Sequence, residues 1–344
     1  MAATSTTANA PSALTFPREI FAALQPRQYL LAHLSPASKS QTSVRPNGRK
    51  PTEFRKLSVN TDSLTHCNGS AVVRMGNTAV VCGVRGEILL ARDVPNPPTI
   101  STNDEDNDRD ELARLGLLVP NVELSTGSNP SHIPGQAPSG LAQSLASRLL
   151  QLLSTTGLVA SKDLRIWYQP IIEQEPEVGS EPEIIAYWTL YLDILYISLD
   201  GAALDAAWLA MLAALRSVKL PKAWWDPDME AIICSDSIAD AKALSLRGLP
   251  IPAGFAVFDE TPEGVEDTTQ EKGWILADPD QFEEEHCREH ISVVVDMSGD
   301  AANSIRAIDK RGGSFVDVEK MRTIVDLTQQ RWKECKDVLD AQST

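Results

Sequence analysis

His286-Cys287-Arg288-Glu289-His290 is the densest group of chemically capable side chains in this sequence. It satisfies H-x-x-E-H, a pattern in which two histidines bind zinc and the glutamate acts as base toward a bound water. That chemistry requires both imidazoles on one helix face and a third ligand downstream. Here the apolar run Ile291 to Asp296, ISVVVD, follows at once and reads as a strand, and no histidine occurs after His290. The motif is read as a coincidence within an acidic stretch, and no metal or other cofactor is expected. Nucleotide chemistry of other kinds has no support. There is no G-x-x-x-x-G-K-[ST] run, and Gly264 and Gly273 are not spaced as a dinucleotide fingerprint. Ser70 follows Gly69 but lacks the G-x-S-x-G elbow of a hydrolase nucleophile.

The elements that must position any site are organised around Asp200 to Pro221, DGAALDAAWLAMLAALRSVKLP. Leu204, Trp208, Met211, Leu212 and Leu215 recur on one helical face, and Ala203, Ala207, Ala210 and Ala214 form a second stripe beside it. The pattern predicts a buried helix whose alanines let it lie flat on a sheet. Asp200 is expected to cap its first amides, Gly201 to relax its start, and Pro221 to end it after Arg216 and Lys219.

Before this helix, residues 16 to 34 read as one or two short amphipathic helices broken at Pro26, and a polar connector leads to the first strand. Lys56 to Leu64, Ser70 to Met75 and Thr78 to Arg85 read as a β-meander with turn signals at Asn68-Gly69 and Gly76-Asn77. Residues 94 to 140 lose periodicity and read as an insertion, with Leu117 to Leu124 as a short extended piece and the acidic run Asn103 to Glu111 as a solvated loop. Leu141 to Leu158 predicts a helix, and Leu164 to Tyr168 and Ile184 to Leu199 predict strands.

Trp224-Trp225-Asp226-Pro227 marks a break. Strands are then predicted at Glu230 to Cys234, Gly254 to Phe258, Gly273 to Ala277, Ile291 to Met297 and Ser304 to Ile308, with a turn at Arg311-Gly312-Gly313. A closing helix carries Val318, Met321, Val325, Thr328, Trp332, Cys335 and Leu339 on one face. Both halves run strands then helix, which gives an α+β class with two similar subdomains, 45–221 and 222–344, behind a disordered tail (1–15) and a helical segment with linker (16–44).

With 344 residues, 42% hydrophobic and 23% charged, the chain has the composition of a soluble globular protein, and no apolar run suffices to span a bilayer. The first fifteen residues lack the basic and apolar regions of a secretory signal. Five cysteines, an odd number, read as reduced core thiols of an intracellular protein. A net charge of −16 works against autonomous nucleic-acid binding, since phosphate neutralisation by Lys and Arg supplies most non-specific affinity.

Arg45-Pro46-Asn47-Gly48-Arg49, Glu53-Phe54-Arg55, Gly69-Ser70-Ala71, Gly76-Asn77-Thr78-Ala79-Val80 and Gly83-Val84 fall in the order seen at the start of RNase PH domains, which the chain resembles from about Arg45 to its closing helix. The Asp200-Gly201 start and the run Leu204-Asp205-Ala206-Ala207 resemble one branch, the non-catalytic ring subunits of the RNA exosome. Val119 to Leu124, VPNVEL, and the insertion before it point to one of three sister types in that branch.

The resemblance implies a hetero-oligomeric ring of six RNase PH-like subunits, with S1/KH cap subunits and a hydrolytic nuclease as further partners. RNA would thread the central channel, and the location would be nucleus, nucleolus and cytoplasm with no membrane partner. A closed ring uses heterologous interfaces, so each subunit presents two different faces.

Active members of the family are phosphorolytic and need an arginine for phosphate at the mouth of the long helix and a pair of carboxylates six residues apart. Alignment to the family puts Leu204 at the arginine position and Glu284 and His290 at the carboxylate positions. The expectation is therefore a scaffold subunit with no catalytic residues. The alternative is a phosphorolytic 3'-to-5' exoribonuclease whose site a neighbour completes. Arg74, Arg85 and Arg92 are read either as solvated strand-end charges or as contacts to RNA phosphates.

Overall fold

Ala203 to Ser217 is helical, and no residue from Leu204 to Leu215 is more than 7% exposed. The surrounding elements are arranged to cover that helix. The computed structural model describes residues 17–35, 42–95, 105–129, 132–133, 135, 137–168, 182–259, 273–299, 304–312 and 316–342. The expectations for the tail 1–15, most of the linker 36–41, Asn103–Asp104 and Gly313 lie outside the described residues.

In chain order the elements are α1 (Arg18–Leu24), α2 (Pro26–Leu34), β1 (Leu57–Thr61), β2 (Gly69–Met75), β3 (Thr78–Leu90), α3 (Glu105–Leu115), β4 (Leu118–Leu124) and α4 (Gly140–Thr156). Then follow β5 (Arg165–Tyr168), β6 (Glu183–Ser198), α5 (Ala203–Ser217), β7 (Lys219–Leu220), β8 (Ala223–Asp226), β9 (Ala231–Cys234) and β10 (Lys242–Ala243). The chain ends with β11 (Ile251–Asp259), β12 (Gly273–Ala277), α6 (Gln281–His286), β13 (Glu289–Asp296), β14 (Ser304–Arg311) and α7 (Val318–Ala341).

Residues 1–51 with 259–274 form one compact unit, and residues 52–258 with 275–344 form another. In the first, Pro26 is the opening residue of α2, where its missing N–H costs nothing, so the break in the helical pattern yields two helices. Phe21 and Tyr29 meet edge to face at 5.9 Å, and Arg27 pairs with Asp259 at 3.1 Å. Arg45 to Arg49 closes a turn through Gly48 N–H to Arg45 O (2.9 Å), with Gly48 at φ 87°, a left-handed geometry suited to glycine.

In the second unit a six-stranded sheet runs β1-β2-β3-β6-β4, with β5 also on β6. All pairings are antiparallel except β4 with β6, which is parallel. The 16-residue β6 carries β3 along one side and β4 and β5 along the other. Helix α5 packs on β2 and β3 at close range: a Cβ on Gly69 would lie 2.7 Å from Ala214 O and 2.8 Å from Val218 Cα. Tyr196 donates from its hydroxyl to Ala203 O (2.6 Å), and the Trp208 indole donates to Pro250 O (2.7 Å).

A second sheet, β12-β11-β13-β14, carries α7, with Ala253, Phe255, Val257, Ile291, Val293 and Ile324 forming a separate apolar cluster. Trp332 of α7 donates to Leu249 O (2.7 Å).

Several local expectations are corrected. Residues 105–111 of the acidic run are helical in α3 rather than a loop, because Asp108 and Glu111 have partners: Asp108 pairs with Arg247, and Glu111 pairs with Arg165. Gly69 is the first residue of β2 and not a turn residue; the Asn68 side chain accepts from Gly86 N–H (2.8 Å). The Trp224-Trp225 break is strand β8, paired with β9. Arg311 ends β14 instead of forming a turn. Cys67 lies in the loop before β2 and, like Cys234, is half-buried; all five cysteines are free thiols.

Gly69→Ala is expected to destabilise the chain by about 1–3 kcal/mol, because the added methyl meets backbone that cannot rotate away. Urea titration measures this, and an unchanged midpoint would contradict the close packing of α5 on β2.

Candidate functional site

The mouth of α5 is built from segments far apart in sequence. Arg55 forks onto Asp278, with Nε to Oδ2 at 2.9 Å and Nη2 to Oδ1 at 2.6 Å, while the Arg55 amide also donates to Oδ2 at 2.8 Å. Its Nη1 donates to Asp200 O at 2.6 Å. Thr78 donates its hydroxyl to Gly201 O (3.1 Å) and accepts from Asp200 N–H (3.0 Å). Burial alone would lower the Arg55 pKa, but the hydrogen bond and charge of Asp278 outweigh it and hold the guanidinium above its ordinary value. Gly201, at φ 70°, lies against the Pro279 carbonyl so closely that no Cβ fits.

Asp200 does not cap α5 as the sequence suggests. Its carboxylate accepts from Asn77 Nδ2 (3.0 Å) and Gln281 N–H (3.2 Å). The residue before the helix is Ala202, in the left-handed region at φ 49°, and its amide donates to Glu284 Oε1 at 2.8 Å.

Past this mouth lies a cleft of about 260 Å³ bounded by α4, the start of α5, the α6 segment and the strands β11, β13 and β14. Leu204, Glu284 and His290, the three aligned positions from the sequence, all line it. Leu204 and Asp205 are buried, and Asp205 Oδ2 accepts from Gly254 N–H at 2.6 Å. Burial pushes the Asp205 carboxyl up to about 6 despite that bond, with the Asp278 charge adding to the rise. Burial likewise pushes Glu284 up to about 7, against the Ala202 amide and with the charge of Asp205. His290 is held below its ordinary value by burial.

Two arginines that the sequence reading missed complete the cleft. Asp309 is shared by Arg148 Nη2 (2.9 Å) and Arg311 Nε (3.1 Å). Arg148 is lowered by burial and by the Arg311 charge. A signal for it exists: it sits among Leu141, Leu145 and Leu152 on the apolar face of α4, where a lone cation needs a partner.

The H-x-x-E-H residues do not share a helix. His286 is the last residue of α6, while Glu289 and His290 belong to β13, where Glu289 pairs with Lys310 at 2.6 Å. Among the described residues no group of three or more His, Cys, Asp or Glu is placed to hold a metal ion.

Arg74 and Arg85 share the outward face of the first sheet, since Arg74 sits opposite Ala79, six residues before Arg85 on β3. At about 3.3 Å per residue that separates them by roughly 20 Å. Arg85 pairs with Asp193 at 3.4 Å, Arg74 Nε donates to Gly76 O at 3.1 Å, and Arg92 is exposed in the turn after β3.

The two-sheet arrangement around a buried helix, with the cleft at the mouth of that helix, defines an α+β protein of RNase PH type. Residues 53–221 match the 3' exoribonuclease family, domain 1 (RNase PH), and the chain belongs to this family. Exosome complex component rrp43 of Schizosaccharomyces pombe is 31% identical over 319 residues, 93% of this chain and 97% of that protein. The sister type to which VPNVEL pointed is this one. Exosome complex component Rrp42 of Thermococcus gammatolerans is 25% identical over 293 residues, 85% of this chain and 88% of that protein. A solved chain from the Archaeoglobus fulgidus exosome with RNA bound to the active site superimposes with a TM-score of 0.62 at 23% identity, covering 92% of this chain and 98% of that one. That likeness bears on the fold.

Removing the Arg55 guanidinium takes both fork bonds and the opposite charge from the buried Asp278 carboxylate, so Arg55→Met is expected to cost about 3–5 kcal/mol in chemical denaturation, and Asp278→Asn a comparable amount. The Glu284 pKa is raised from 4.5 unfolded to about 7 folded, so the protonated form stabilises the fold; that stability is complete below the unfolded value and lost as pH rises through the folded one. Glu284→Gln keeps an oxygen for the Ala202 amide. It is expected to melt above the parent at about pH 8, with the gap closing by about pH 5 in calorimetry. A parent that melts higher at alkaline pH would refute the assignment.

Proposed function

We infer that this protein is a catalytically silent structural subunit of the RNA exosome ring, supporting 3'-to-5' RNA processing and degradation by holding the channel and docking cap subunits and a nuclease. Identity of 31% across 93% of the chain to an exosome component supports ring membership. The observation that carries catalytic silence is the engagement of the cleft's charges: Asp205 and Glu284 hold the backbone amides of Gly254 and Ala202, and Arg148 and Arg311 share Asp309. Leu204 offers no donor where the family alignment calls for a phosphate-binding arginine. Work in the nucleus, nucleolus and cytoplasm follows from ring membership, and the halves 45–221 and 222–344 are taken as its two β-α subdomains. Arg74, Arg85 and Arg92 are kept as contacts to RNA phosphates, each acting singly given their separation.

A second reading has one specific observation in its favour. Carboxyls near 6 and 7 beside two guanidiniums are suited to acid-base work, which fits a phosphorolytic site completed by a neighbouring subunit. Incubation of 3'-labelled RNA with inorganic phosphate tests both readings, using the purified chain and then the reconstituted ring. The scaffold reading expects no nucleoside diphosphate from the chain alone and no change in the ring's activity with Glu284→Gln. Release by the chain alone, or a phosphate-dependent activity of the ring abolished by Glu284→Gln, would overturn it.

A further inference from the structure

A second hollow, of about 390 Å³, lies away from the cleft, between α3 and α4 and over β4 at the end of the six-stranded sheet. Its walls are helical stripes. Arg109, Leu112 and Ala113 project from α3, Leu150 and Leu153 from α4, and Pro120 of β4 lies at its floor. Leu150 is 44% exposed, so the groove presents apolar surface to solvent.

Arg109 is the charged residue of this lining. Its neighbours on the same helix, Asp108 and Glu111, are turned the other way onto Arg247 and Arg165. Among the described residues the Arg109 Nε–H is shielded from water and has no hydrogen-bond acceptor. The guanidinium sits against Gly157, where a Cβ would lie 2.8 Å from Nε. Gly157 closes α4 in the left-handed conformation at φ 58°, so the same glycine ends the helix and makes room for the cation.

That Nε–H is closed in by the chain itself, but the terminal nitrogens of Arg109 also lack an acceptor among the described residues, and a carboxylate supplied from outside would meet them with charge-assisted bonds. We propose that the α3–α4 groove docks an apolar segment of a partner protein that carries an Asp or Glu side chain against Arg109. Helical walls from α3 and α4 suit a segment with apolar side chains at regular spacing, the helix-in-groove mode of recognition. A net charge of −16 repels an acidic segment over much of the surface, so Arg109 also fixes where such a segment settles. The inference is independent of whether the cleft is catalytic.

Selection of a random dodecapeptide phage library on the purified full-length chain tests it. The expected result is an enriched group of sequences joining apolar residues to an Asp or Glu. Their synthetic peptides should lose about tenfold or more in affinity on Arg109→Gln or on replacement of their acid by its amide. Leu150→Asp should weaken them likewise, while Arg109→Gln leaves the thermal midpoint unchanged. No enriched sequences, enrichment without an acid, or equal binding to Arg109→Gln would overturn the proposal. So would peptides that bind the free chain but are excluded from the reconstituted ring, an outcome that would make the groove a contact between subunits.

Discussion

The fork of Arg55 on Asp278 is the interaction on which the geometry of this protein depends. Both side chains are buried, at 8% and 1% exposed, and removing two charges from water offsets much of their mutual attraction. What the pair secures is position. Arg55 leads β1, Asp278 follows β12, and the same guanidinium holds the Asp200 carbonyl just before α5. Arg331 of α7 donates to Arg55 O (3.1 Å) and stacks over Phe54, with its guanidinium carbon 5.1 Å from the ring centroid. One ion pair thus ties the first sheet, the buried helix, the second sheet and the closing helix at a common point.

Because that point lies at the mouth of α5, the fold and the cleft share their supports. The backbone at Ala202 is left-handed, Gly201 has no room for a Cβ, and Asp278 has φ 51°. Such conformations cost energy and persist only where surrounding contacts over-determine them. Glu284 and Asp205 supply part of that support through the amides of Ala202 and Gly254. A carboxyl holding a strained helix start is constrained in its motion.

The parts of the structure written in local periodicity were legible from the sequence. The stripe from Leu204 to Leu215, the α7 face through Trp332 and Leu339, and the Gly76-Asn77 turn all depend on neighbours within a few residues. The α3 segment was misread because its acidic side chains look solvated until Arg165 and Arg247, more than fifty residues away, are brought beside them. Asp200 was assigned to the nearest amides, whereas its partners are Asn77 and Gln281. In the cleft, Leu204, Glu284 and His290 were placed together through family alignment. Arg148 was missed because its partner Asp309 is remote from α4 in sequence, and Arg311 because Arg311-Gly312-Gly313 reads as a turn. Long-range pairing of polar groups leaves no periodic trace, and it accounts for most of these differences.

The charge of the cleft follows from the same pairings. Arg148 and Arg311 are balanced in part by Asp309, which leaves a single positive charge when Asp205 and Glu284 are protonated. With carboxyls near 6 and 7, both become ionised above neutral pH, and His290, held low by burial, adds nothing there. The lining then sums to a net negative charge, which disfavours a bound anion. Burial opposes this ionisation but cannot reverse its sign once both protons have left. Leu204, which lines the cleft at the mouth of α5, brings no donor or charge of its own. An anion in this cleft is therefore favoured only where a further cation is brought to it.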